Sequence, residues 1–239
     1  ENTCSFFFWE INEDLTYVFM KENKLFKTLF SVLFYLFWSV FLQLPLNLFN
    51  IRLSSNMMAL YEFVFTFLLL ILIFMMYKQE LIKEFKFNKK IKYIYINTVA
   101  IFMIMGISNM ISYSILGDNV VSKVNNSGLS IIDTKNLLMI IRLLVLTPII
   151  EELVFRKSVR TVVNNDIFFV IFSGLFLGSL YVIAQTLSFV GLISSISYIL
   201  VGIYLSISYV KTNNIYINIF SRILYNLLML VIILWSGYH

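Results

Sequence analysis

Apolar residues fill most of this chain in blocks of about twenty, separated by short polar or lysine-rich stretches, near 28–49, 56–77, 93–116, 137–155, 167–187, 189–210 and 215–236. A helix rises 1.5 Å per residue, so ~20 apolar residues match the hydrocarbon thickness of a bilayer. The pattern therefore predicts an all-α, polytopic transmembrane helical bundle of about seven spans. Six or eight remain open, because 167–210 holds no charged residue to mark its turn.

Lysine and arginine orient these spans, since cytoplasmic loops retain them. Lys21, Lys24 and Lys27 precede the first block, and Lys78, Lys83, Lys86, Lys89, Lys90 and Lys92 crowd the loop after the second. Arg156, Lys157 and Arg160 follow the fourth, and Lys211 follows the sixth. Arg52, Lys123 and Lys135 fall on the opposite side. The net charge of +5 is thus read as membrane topology. No separate basic domain exists for nucleic acid, and no glycine-rich loop suggests a nucleotide.

Composition agrees: 60% hydrophobic and 13% charged residues, at a mean hydropathy of +0.87, are too apolar for an ordinary soluble domain. Eight Gly and two Pro leave little material for linkers, and no internal repeat is visible, so residues 20–239 are read as one integral-membrane domain. Cys4 is the single cysteine and His239 the single histidine, which predicts neither a disulfide nor a metal or other cofactor site. Residues 1–19, with Glu1, Glu10, Glu13 and Asp14 as their only charges, stay unassigned between an interfacial helix and a segment not native to the domain. They lack the basic start and small-residue cleavage site of a secretory signal. Gly174 and Gly178, four apart, predict close approach of the fifth helix to a neighbour.

Charge within a span costs about 2.5–3.5 kcal/mol per group, so each such group needs a partner or a wet cavity. Glu62 and Arg142 both fall roughly 10 Å from the outer interface and are expected to pair, linking the second and fourth helices; a role in gating or substrate contact is the alternative. The stretch Thr147–Arg156, "TPIIEELVFR", places Glu151 and Glu152 toward the cytoplasmic end of the fourth helix, at a depth similar to Arg222. Four residues separate Glu152 from Arg156, which allows a salt bridge, while Glu151 is turned about 100° away into the bundle. Pro148 loosens the backbone just ahead of them. Spacing alone leaves open whether these charges are a helix-binding network or a reactive centre.

The Glu-Glu-x-x-x-Arg box, with "SGLFLGSLYVIAQ" and "YVKTNNIYINIFSRILYN" after it, resembles the CAAX-protease and bacteriocin-processing (Abi) family from about Leu137 to Leu230. The resemblance implies a polytopic membrane protein, typically a glutamate intramembrane protease or a bacteriocin-immunity protein, in which the first glutamate of the box activates water. It further implies Glu151, Glu152, Arg156, Tyr181, Arg222 and Asn226 as the site residues. The family's second motif, Phe-x-x-x-His, and its third, His-x-x-x-Asn or Asp, are altered. Tyr181 and Arg222 stand where the histidines belong, and Asn226 alone keeps its identity in the third motif. Counted from Ile167, Tyr181 falls roughly 10 Å deeper than Glu151, so either the fifth helix starts later or Tyr181 lies outside the site.

A glutamate that hydrolyses a peptide must serve as a base near a positioned water, with donors for the oxyanion. A permanent guanidinium at Arg222 favours the ionised carboxylate and occupies its lone pairs, although it, like the Tyr181 hydroxyl, could serve an oxyanion. The leading expectation is a catalytically impaired homologue that binds a peptide or protein partner in the bilayer, in immunity or as a scaffold. An active endopeptidase using Glu151 is the alternative, and both predict a cleft open to the cytoplasm. A transporter or channel is a further alternative, disfavoured by the absence of repeats and broken helix pairs. The resemblance and the Asn-, Lys- and Ile-rich composition point to a bacterial plasma membrane.

Overall fold

The computed structural model describes residues 23–85, 91–117, 136–184 and 189–236, the side chains of Ser39, residues 180–184, Val190, Ser194 and Ser236 aside. Among these residues seven helical runs occur at the expected positions. They are α1 (Lys24–Leu48), α2 (Ser55–Glu84), α3 (Lys92–Leu116), a composite α4 over 137–162, α5 (Asp166–Ala184), α6 (Phe189–Thr212) and α7 (Ile215–Ser236). By length and composition α2, α3, α6 and α7 suffice to cross a membrane, and α1 adds a fifth span if its two halves are taken as one. These halves, Lys24–Trp38 and Val40–Leu48, meet at 46°. The bend lies just ahead of Phe41, whose carbonyl the ring of Pro45 would meet in a straight helix. The segment 1–19 lies outside the described residues.

Polar residues mark the helix ends. Asn23 caps α1 through the Phe26 amide, Asn165 caps α5 through the amides of Ile167 and Phe168, and Asn214 receives the Tyr216 amide at the start of α7. Asn213, at φ 50°, supplies the left-handed residue that ends α6, a conformation asparagine tolerates better than most side chains.

The fourth run alternates its winding. Leu137–Ile141, Thr147–Glu152 and Val159–Val162 are α-helical, whereas Arg142–Leu146 and Leu153–Ser158 are π-helical. Pro148 has no amide hydrogen to complete an ordinary turn, and the first wide segment ends just before it. The second is braced from outside: Ser173 donates to the Phe155 carbonyl at 2.7 Å, and Thr28 donates to the Ser158 carbonyl at 2.8 Å. Neighbouring hydroxyls thus satisfy backbone groups that lipid could not.

α4 runs through the main core with α2, α7 and the first half of α1, where Leu69, Ile73, Tyr77, Ile150, Leu153, Phe155, Phe169 and Ile215 are buried. α5 and α6 form the closest helix pair, and α6 packs further against α3. Glycine makes this approach possible. A Cβ on Gly174 would fall 2.4 Å from Ile203 Cγ1 and 2.9 Å from the Ile203 amide nitrogen, and one on Gly178 would fall 1.9 Å from Ile199 Cγ1. Gly174→Ala should therefore cost about 1–3 kcal/mol of stability through overpacking. Gly106→Ala, with nothing within 4 Å of its new methyl, should cost none. Thermal unfolding in detergent distinguishes the two variants, and equal unfolding temperatures would contradict this packing.

Candidate functional site: a neutral cluster of two glutamates and two arginines

Glu151 and Glu152 occupy the short α turn between the two π segments, and Arg156 lies within the second of these. The wide winding still keeps Arg156 over Glu152, with Nη1 at 3.2 Å from Oε1. Arg222 enters from α7 as a fork, Nη2 lying 2.5 Å from Glu151 Oε2 and Nη1 lying 3.1 Å from Glu152 Oε1. Two carboxylates and two guanidiniums thus meet with no net charge, the arrangement that low-dielectric surroundings demand. Counting along the helices matched Arg222 to the depth of the glutamates, and the structure brings them into contact.

The remaining donors complete the cluster. Tyr35 of α1 donates its phenol to Glu151 Oε1 at 3.1 Å, and Asn218 of α7 donates to Glu152 Oε2 at 3.4 Å and to the Leu205 carbonyl at 2.8 Å. Arg156 also reaches the Gly202 carbonyl at 3.4 Å, a group exposed to it by the glycine crossing of α5 and α6. Every carboxylate oxygen of the pair therefore carries a donor. The two glutamates differ in access: side-chain exposure is 0% for Glu152 and Arg156, 7% for Glu151 and 13% for Arg222. Among the described residues these side chains close on one another. A shallow apolar groove of about 260 Å³ between α3 and α6, lined by residues such as Ile104, Leu200 and Tyr204, contains none of these groups.

Other candidate residues are placed as follows. Asn226 lies one turn beyond Arg222, half-buried, and is not among the groups that hold the glutamates. The Tyr181 side chain lies outside the described residues. Glu62 and Arg142 meet at 2.7 Å between α2 and α4, away from this cluster. Tyr198 of α6 lies close enough to Glu151 and Arg222 to feel both charges.

Sequence reasoning missed Tyr35 and Asn218, although each lies on a legible stripe. Thr28, Ser31 and Tyr35 recur on one face of the first half of α1, and Asn214, Asn218, Arg222 and Asn226 recur every fourth residue along α7. A second cluster also went unread. Glu84, at the end of α2, receives Lys157, the Tyr209 hydroxyl at 3.0 Å and the Ile215 amide at 2.9 Å, tying α2, α4, α6 and the start of α7 together.

Breaking a buried pair by removing one partner costs about 3–5 kcal/mol, because an uncompensated charge stays behind. Arg222→Met should lower stability by that order, and Arg222→Met with Glu151→Gln should recover much of it. Unfolding of the three proteins in detergent measures this, and equal losses in both variants would contradict charge balance as the reason for the cluster.

No curated protein and no solved structure matches the chain. Residues 133–228 match the family model described as type II CAAX prenyl endopeptidase Rce1-like, a stretch that begins before α4 and ends within α7. It contains Glu151, Glu152, Arg156, Asn218, Arg222 and Asn226, whereas Tyr35 and Glu84 lie ahead of it. Over this region the chain is similar to that family, and with its apolar helices it is a CAAX-protease-like multi-pass membrane protein.

Proposed function

We propose that this protein is a catalytically impaired CAAX-protease homologue. Its glutamate centre has become a charge network, and the protein acts by binding a peptide or protein partner in the bilayer, as an immunity or scaffold subunit. The observation that carries this reading is the Arg222 fork across both glutamates, at 2.5 and 3.1 Å. A general base must offer a lone pair to a water and take its proton. Glu151 has Tyr35 on one oxygen and Arg222 on the other, so a water must compete with both donors for its lone pairs. Glu152, fully buried among Arg156, Arg222 and Asn218, is still less available to a water. We place the protein in a bacterial plasma membrane with the glutamates toward the cytoplasm, a reading supported by the lysines at the same end of α1, α2, α3 and α6.

Reconstitution in liposomes with a peptide panel, read by mass spectrometry, tests the proposal. The unmodified chain should cleave nothing, and Tyr181→His with Arg222→His should regain cleavage that disappears when Glu151→Ala is added. Cleavage by the unmodified chain that is lost in Glu151→Ala would overturn the proposal in favour of an active glutamate endopeptidase.

A further inference from the structure

α1 lies outside the matched family region, yet it supplies a donor to the glutamate centre. Its first half packs chiefly on α4 and less on α2, and its other face turns Leu25, Leu29, Leu33 and Phe37 outward. The contact with α4 is a ladder of side chains. Thr28 shares a hydrogen bond with Thr161 at 3.0 Å, and the Ser31 and Ser158 hydroxyls share one at 2.8 Å. Tyr35 lays its ring edge-on to Phe155 at 5.3 Å before reaching Glu151. Just beyond Tyr35 the helix bends by 46° between Trp38 and Val40. The half that carries the ladder is therefore directed separately from the half that follows.

We propose that Tyr35 is a positioning residue of the glutamate centre, and that the first half of α1 is the strap closing this centre against the lipid, with the Tyr35–Glu151 hydrogen bond as its catch. Glu151 is clamped between a peripheral helix and α7, and α1 is the more weakly packed of these two jaws. A bilayer-inserted peptide segment that reaches Glu151 from the side has to displace α1. The inference stands whether or not the centre hydrolyses anything, since it concerns access alone. Loss of the phenol leaves Glu151 Oε1 buried without its donor, and the carboxylate then gains by admitting water where α1 had lain.

The test is a spin-label distance measurement in liposomes on Cys4→Ser protein carrying Leu29→Cys on α1 and Phe172→Cys on α5, both exposed positions. The parent should give one narrow distance. Tyr35→Phe, which keeps the ring on Phe155, should add a longer distance holding roughly a tenth or more of the molecules. Tyr61→Phe, which removes a different bond to α1, from the Tyr61 hydroxyl to the Leu42 carbonyl at 3.0 Å, should add none. A second readout uses Ser31→Cys with Ser158→Cys in the Cys4→Ser background, whose disulfide should hold the strap shut and abolish the longer distance that Tyr35→Phe adds. A merely structural tyrosine would lower the unfolding temperature without moving either readout. An unchanged distance in Tyr35→Phe, or a longer distance that persists with the disulfide formed, would overturn the proposal.

Discussion

Two carboxylates and two guanidiniums must cancel one another inside an otherwise apolar bundle, and much of the architecture follows from that requirement. A single charge at this depth would cost several kcal/mol, and the pairs relieve this only with close geometry and donors for the remaining lone pairs. α4 provides the geometry by interrupting itself. Pro148 and the two wide segments set a short turn that carries Glu151 and Glu152, and hydroxyls from α1 and α5 satisfy the carbonyls left by the wide winding. α7 provides Arg222 and Asn218 from one face, and its start is fixed to Glu84 on α2. The glycine crossing of α5 and α6 brings the Gly202 carbonyl to Arg156.

This dependence explains what was legible in the chain. Helix positions were readable because a bilayer forces apolar blocks of a fixed length, and the pairing of Arg222 with the glutamates was readable because the count from Ile215 gives its depth. Glu152 with Arg156 followed from helical spacing. The partners of Glu151 were harder to foresee. Tyr35 reaches it from a helix more than a hundred residues earlier, and no local pattern pairs one polar stripe with another. The winding of α4 was legible only in part, since Pro148 announces disturbed hydrogen bonding while nothing in "LVFRKS" marks the second wide segment. Among the described residues, the arginines that balance the glutamates fill the space between them.

The same interactions connect the stability of the protein to its relation to glutamate proteases. A hydrolytic centre keeps a carboxylate unsatisfied, ready for water, and that readiness lowers stability. Here the position that the family resemblance gives to a histidine holds Arg222, which satisfies both glutamates at once. On the proposed reading, satisfying the centre in this way stabilises the fold and makes a water compete with Arg222 for the carboxylate oxygens. On the same reading, the matched region keeps the frame of the family and exchanges its chemistry for packing.

The most direct measurement is solid-state NMR recoupling between the carboxyl carbons of glutamate and the guanidinium nitrogens of arginine, made in lipid bilayers on the unmodified protein and on Arg222→Met. A bridging fork predicts nitrogen–carbon separations of about 4 Å or less from both Glu151 and Glu152, with the Glu151 coupling abolished in the variant and the Glu152 coupling to Arg156 retained. Identical couplings in the two proteins would show that Arg222 does not hold the glutamates, and the account of a neutralised centre would fall with it.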